Sequence, residues 1–192
     1  AVVVSLQAEQ LGAPGSAIQI ARVMADSFVS DYFTSVHGLT SGDNDRLVLR
    51  FWELDAFGGW SRFQFASKGD DAYQGCEGVI RWRTTVGPIT DEVPGFRADG
   101  RAAWGRLGVG IARVGKLTPS MYTGDLFSHV LPVLVPKDDA HLPALVAMTL
   151  SDSFQDAVKA VNQSLSVDGG YLERVPFDLD HWQKVAAEKY PN

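Results

Sequence analysis

The stretch HGLTSGDNDRLVLRFWEL, residues 37–54, sets the problem of this chain. A run of turn-forming residues from Gly38 to Asp45 breaks abruptly into a segment carrying Arg46, Arg50 and Trp52. Within that segment Leu47, Leu49 and Phe51 alternate with Arg46, Val48, Arg50 and Trp52. Period-two alternation predicts a half-buried strand with arginines on its second face. The preceding loop is then either a tight surface turn or a loop that holds a charged group.

The same pattern recurs downstream. FGGW reads as a turn, and WSRFQF as a short strand with Arg62 opposite Phe63 and Phe65. VIRWRTTV is a third such strand, with Arg81 and Arg83 flanking Trp82. From Gly87 to Arg101 the chain reads as loop, punctuated by Pro88, Pro94, Gly95 and Gly100. AWGRLGVGIARVGKLTPSMYTG predicts twisted or bulged strand, and LFSHVLPVLVP a buried one.

Helical signals flank this region. Ala17, Ile20, Ala21, Met24 and Phe28 recur at helical spacing behind Ser16, a suitable N-cap. Asp139 can cap a helix carrying Leu142, Leu145, Val146 and Leu150, with Pro143 tolerated in its first turn. Phe154, Val158 and Val161 continue the period past a break at SDS. SLSVDGGYLERVPF reads as strand, and Asp180 with Gln183 resembles a capping box before Trp182, Val185 and Ala186. The predicted class is α+β, a strand-rich mixed β-sheet middle with helices at the N- and C-terminal ends.

Composition narrows the function. The 192 residues are 45% hydrophobic and 21% charged, as in an ordinary globular protein. Apolar runs are far shorter than a membrane span, and no signal peptide is evident, so no membrane partner is expected. A single cysteine, Cys76, excludes an internal disulfide framework and fits a cytoplasmic location. A start at Ala1 and an end at AAEKYPN suggest a piece of a larger protein, a look that processing or trimming would share.

The net charge of −6 argues against nucleic acid, but its distribution does not. From Arg46 to Lys116 there are 11 Lys and Arg against 8 Asp and Glu, leaving 6 against 15 elsewhere. A mildly basic middle inside an acidic periphery matters because phosphate contacts depend on local charge.

Enzyme signatures are missing: G-x-S-x-G, the P-loop and H-E-x-x-H do not occur. The glycines of GRLGVGIARVG lack a strand–turn–helix setting for a nucleotide. DNDRL is too short for a calcium loop, since Leu47 falls where an oxygen ligand belongs. His37, His129, His141 and His181 are scattered and read as structural, Asp91–Glu92 as a solvated loop pair, and Trp52, Trp82 and Trp104 as core. No catalytic or metal-ligating residue is expected.

GLTSGDNDRLVLRFWEL closely resembles the G-[LI]-x-T-G-D-N-x-R-F…W-E pattern opening the target-recognition region of adenine-specific DNA methyltransferases, the large methylases of type IIG restriction-modification and related phage-defence systems. VIRW is similar to that family's tryptophan-bearing strand, and AWGRLGVGIAR with LTPSMYTGDLF to its later strand pair. LPALVAMTLSDSFQDAVKAVNQSLSVDGGYLERVPF resembles its closing helix, short strand and proline-ended exit. Ser41 stands where the family usually has threonine, Leu47 where it has phenylalanine, and DDAYQGCEG lacks the aromatic run often found before the third strand.

The resemblance covers roughly residues 36–177 and implies a DNA-binding target-recognition domain there, after an N-terminal helical lead-in (1–35) and before a C-terminal helix (178–192). The family's adenine-gripping [ND]-P-P-[YF] motif does not occur in the 192 residues, so this chain is expected to do no chemistry alone. S-adenosylmethionine would belong to the parent enzyme. The implied partners are double-stranded DNA, the catalytic domain of the same parent chain and other defence-system subunits.

The residues implied in DNA contact are Gly38, Thr40, Ser41, Gly42, Asn44, Arg46, Arg50, Arg62, Lys68, Arg81, Arg83, Arg106 and Lys116, with Arg97, Arg101 and Arg113 as further candidates. Gly38 and Gly42 would let backbone N–H groups approach a phosphate, Thr40, Ser41 and Asn44 supply neutral hydrogen bonds, and the strand arginines would share a surface with Arg46. Two rivals remain open: a protein-interaction module docking through its acidic helices, and an unrelated ligand- or carbohydrate-binding β-rich domain.

Overall fold

The computed structural model describes residues 25–66, 69, 73–82 and 93–191. The chain runs α1 (Val29–Tyr32), β1 (Phe33–Val36), α2 (Asn44–Leu47), β2 (Val48–Arg50), β3 (Trp60–Gln64), β4 (Gly78–Arg81), β5 (Gly108–Ile111), β6 (Pro119–Tyr122), β7 (Leu126–Phe127) and β8 (Val133–Pro136). Four helices follow: α3 (Leu142–Thr149), α4 (Phe154–Val161), α5 (Gly169–Leu172) and α6 (Leu179–Lys189). The class is α+β, as the patterning predicts. The helix expected around Ala17–Met24 lies outside the described residues.

Two four-stranded sheets carry the fold. The first has the order β1-β8-β5-β6 with antiparallel pairs throughout. The second has the order β2-β4-β3-β7, antiparallel except for the β3–β7 pair. β8 is buried on both faces, so its VLVP reads as a continuous apolar run. Leu134 points with Phe33, Val109 and Ile111 into a core closed by Leu145, Met148, Phe154, Val158 and Leu172. Each such fully buried side chain contributes about 1.5–3 kcal/mol. Val133 and Val135 point the other way, toward Tyr122, Phe127 and Leu131.

The segment after β1 joins the sheets. Leu39 N–H donates to Phe127 O at 2.8 Å and Leu39 O accepts from His129 N–H at 2.9 Å. On its other side Thr40 exchanges both backbone hydrogen bonds with Arg97, at 3.0 and 2.8 Å. Gln64 adds a side-chain link, its Nε2 donating to Ser120 Oγ at 3.2 Å and Met121 O at 2.9 Å in the first sheet. The predicted buried strand LFSHVLPVLVP is therefore two strands, β7 in the second sheet and β8 in the first.

Several other expectations change. The strand expected across 46–52 is only Val48–Arg50. Asp43 caps one helical turn before it, accepting from Arg46 N–H at 3.2 Å, and Glu53, the last residue of the 3-10 turn after it, takes the Arg50 N–H at 2.6 Å. Local carboxylates thus win the backbone donors that a longer strand would use. Phe51 and Trp52 are 51% and 63% exposed, so neither is core.

SLSVDGGYLERVPF is not a strand. Val114 bridges Ser166, and the one-turn helix α5 follows Asp168, whose carbonyl accepts from Tyr171 N–H at 2.9 Å. The last helix is capped by Asp178, which accepts from His181 N–H at 3.0 Å, two residues before the expected Asp180. Asp138 likewise caps the 3-10 turn preceding α3, one residue ahead of Asp139. Val29 and Phe33 belong to the first core and Leu179 and Trp182 pack against it, so the boundaries at 35/36 and 177/178 fall inside packed structure.

Gly38 is where the joining strand approaches closest, because an added Cβ would meet the carbonyl oxygens of Phe127 and Ser128. Gly38→Ala should lower unfolding free energy by on the order of 3 kcal/mol, measured by urea denaturation. An alanine variant as stable as the parent would show that this crossing has slack.

Candidate nucleic-acid interface

The Thr40–Arg46 turn is held by its own side chains. Ser41 is buried, and its hydroxyl donates to Asn44 Oδ1 at 2.5 Å. Thr40 Oγ1 accepts from an Arg97 guanidinium N–H at 3.4 Å. Gly42 has φ +73°, and an added Cβ would lie 2.6 Å from Pro94 O, so glycine is required there by conformation and by space. Both Gly38 and Gly42 bring the backbone close to the protein's own chain. Arg46 is the outward group of this turn, its side chain 65% exposed and only loosely paired with Asp43 at 3.9 Å. It belongs to α2 and not to a strand face.

The strand arginines divide between the two faces of the second sheet. Arg50 pairs with Gly78 in register, on the face that carries Phe63 and Ile80. Its guanidinium lies 4.6 Å from the centre of the Phe65 ring and 2.6 Å from Glu77 Oε1. That cation is already matched. Arg62 and Arg81 occupy the opposite face: Arg62 faces Val79, and Arg81 faces Trp60. The two arginines are thus diagonal neighbours on adjacent strands, with Trp60 between them.

Both are exposed, and among the described residues neither side chain makes an ion pair or hydrogen bond. Arg46 precedes β2 at the end of the sheet where β4 finishes and β3 starts, so Arg46, Arg81 and Trp60 share that end. The expectation of one surface holding every strand arginine fails for Arg50. Trp60 went unnoticed in the sequence, although a residue two before Arg62 in a strand must share its face.

Other candidates lie elsewhere. Arg106 donates to Pro136 O at 2.5 Å at the end of β8 in the first sheet. Lys116 is exposed in the hairpin between β5 and β6. Arg113 is bound to Asp168 at 2.8 Å, and Arg101 lies over Trp104 at 5.4 Å. Lys68 and Arg83, like the Asp91–Glu92 pair, lie outside the described residues. Trp82 and Trp104 pack edge to face at 5.5 Å and are partly buried against the core clusters.

Cys76 is exposed and free, but its thiol is pushed up by burial of the sulfur and then by the Asp125 and Glu77 carboxylates, with Arg62 opposing. A thiol so held is a poor nucleophile. No group of three or more His, Cys, Asp or Glu among the described residues is placed to hold a metal. No helix among them is long and apolar enough to cross a membrane. No protein-family model matches the chain, and no curated protein matches it.

The turn separates scaffold from exposed charge. Asn44→Ala leaves the buried Ser41 hydroxyl without its acceptor and should cost about 1–3 kcal/mol. Arg46→Ala should change stability by no more than about 0.5 kcal/mol. Thermal unfolding of the two variants checks both; an Arg46→Ala protein that unfolds with Asn44→Ala would make Arg46 part of the scaffold.

Proposed function

We propose that this chain is the DNA-binding target-recognition portion of an adenine-specific DNA methyltransferase from a restriction-modification or phage-defence system. The observation that carries the DNA-binding part is the pair of exposed, unmatched arginines, Arg62 and Arg81, placed diagonally around Trp60 with Arg46 at the same end of the sheet. Like charges held close on a solvated sheet face disfavour the folded state, and an anionic partner relieves that cost. Guanidinium groups suit phosphate because they donate in a planar fork and stay charged. A neighbouring indole offers an apolar face to sugar or base.

The methyltransferase part rests on the resemblance of GLTSGDNDRLVLRFWEL and the segments after it. A methylase extrudes its target base, so a separate surface must grip the remaining duplex and read its sequence. On this reading the parent enzyme takes its methyl group from S-adenosylmethionine held by a catalytic domain of the same parent chain, in the cytoplasm. The residues described above bind and orient the duplex and carry no chemical step.

A protein-docking function has one specific observation in its favour. Val114 and Leu165 are 63% and 88% exposed, on two segments joined where Val114 bridges Ser166. Salt dependence separates the readings. Duplex DNA should bind this chain weakly, with affinity falling steeply as salt rises, by about 0.9 in logarithmic slope per phosphate engaged. Arg62→Ala with Arg81→Ala should lower that slope by about two and weaken binding equally across DNA sequences. Fluorescence anisotropy at several salt concentrations measures this. Affinity that is insensitive to salt, or untouched by the double substitution, would favour the docking function.

A further inference from the structure

The connection from β2 to β3 leaves three aromatic side chains in water: Phe51, Trp52 and Phe57 are 51%, 63% and 53% exposed. They fall at opposite ends of the second sheet. Phe51 and Trp52 follow Arg50, where Phe51 N–H donates to Glu77 O at 3.0 Å, and their rings pack on each other edge to face at 5.1 Å. Phe57 lies at the other end, where β3 starts and β4 finishes.

There the chain makes one tight turn. Trp60 N–H donates to Phe57 O at 3.0 Å, which sets the two aromatic residues at the base of a four-residue turn. Gly59 supplies the positive φ, +80°, that the third position of a type II turn requires. Gly59 O accepts from Trp82 N–H at 2.7 Å and so ties the turn to the end of β4. A Cβ added at Gly58 or Gly59 would meet no atom of the described residues within 4 Å, so the tip stands clear of its surroundings. Among the described residues neither the Phe57 ring nor the half-buried Trp60 ring packs on another aromatic ring, and neither belongs to a core cluster.

The charge beside this turn has one sign. Trp60 faces Arg81 across the β3–β4 pair, and Arg62 follows on the same face. The strand positions sharing that face, Leu49, Gln64 and Val79 besides these three, include no carboxylate. A sugar needs acceptors as well as donors for its hydroxyl groups, and the Gln64 amide is buried and bonded to Ser120 and Met121. A nucleotide joins a flat aromatic base to an anionic phosphate, the complement of free rings beside unmatched guanidinium groups. Bases stacked in a continuous duplex have no free face, whereas an unpaired base has one to offer.

We propose that Phe57 and Trp60 form a stacking site for an unpaired nucleobase, with Arg62 and Arg81 on the phosphates that flank it. This rests on the proposed function and narrows it: the preferred partner is DNA interrupted by an unpaired base. Base stacking on aromatic side chains is sequence-tolerant, so the preference is for the unpaired state and not for one base.

The full chain tests this with two labelled DNA molecules of the same sequence, a continuous duplex and a duplex carrying one extra, unpaired base. Their phosphates are nearly equal in number, so the electrostatic contribution cancels in the ratio of affinities. The interrupted duplex should bind about tenfold more tightly. A fluorescent purine analogue at the unpaired position should be quenched on binding. Phe57→Ala and Trp60→Leu should each reduce the ratio toward one, whereas Arg62→Ala with Arg81→Ala should weaken both DNA forms together. Phe57 is an exposed turn residue, so its variant decides the matter should Trp60→Leu fail to fold.

Equal affinity for the two DNA forms, or a preference that survives Phe57→Ala, overturns the stacking site while leaving duplex binding through Arg62 and Arg81 in place. If neither DNA form binds at low salt, the proposed function falls and the stacking site with it. Self-association or oligosaccharide binding that Phe57→Ala abolishes, with no preference between the DNA forms, would assign the turn to that other occupant and overturn the inference.

Discussion

The structure depends on the passage of Gly38, Leu39 and Thr40 between two other segments. Their backbone is bonded to Phe127 and His129 on one side and to Arg97 on the other. A buried strand must pair its N–H and C=O groups, and this one does so with both neighbours. The approach to Phe127 and Ser128 leaves no space for a side chain at residue 38. One crossing therefore sets the position of β7 in the second sheet, the start of β8 in the first, and the loop bearing Arg97. It also brings His37 and His129 together, although they stand far apart in the sequence.

From that crossing the exposed face of the second sheet follows. Phe127 and Gln64 lie opposite each other in the β3–β7 pair and turn toward the first sheet, with Gln64 bonded to Ser120 and Met121. This end of the face is buried. Two residues back along β3, Arg62 shares the same face but is exposed, and Arg81 lies diagonally from it. The other face is filled by Phe63, Ile80, Leu47 and Leu39, with Val93 and Phe96 covering it. Arg50 is on the filled face but stays partly exposed, its charge paired with Glu77 and lying over the Phe65 ring. Among the described residues the Arg62 and Arg81 side chains have no such partner.

Much of this was legible because alternation reports burial directly. Arg62 opposite Phe63, the buried VLVP run and the break before Phe154 all follow from side-chain period and helix punctuation. What was not legible required knowledge of partners. Arg50 looks like Arg62 in sequence, and only the register with Gly78 and the nearby Glu77 places it on the other face, paired. Asp43 and Glu53 give no sign in the alternation around them, yet each captures a backbone donor at an end of β2, which is three residues long. The stretch from Ser164 to Phe177 buries Val167, Leu172, Val175 and Phe177 at irregular spacing, which has no period to read. The two histidines carried no local signal because their proximity is created by chain crossing.

The central claim is that Arg46, Arg62 and Arg81 grip DNA phosphates while Arg50 serves the fold. Arginine-selective chemical modification read out by mass spectrometry, with and without duplex DNA at low salt, tests it most directly. The account predicts that Arg46, Arg62 and Arg81 react readily in the free protein and are protected by the duplex, whereas Arg50 reacts slowly in both conditions. Equal modification of Arg62 and Arg81 with and without bound DNA would contradict it.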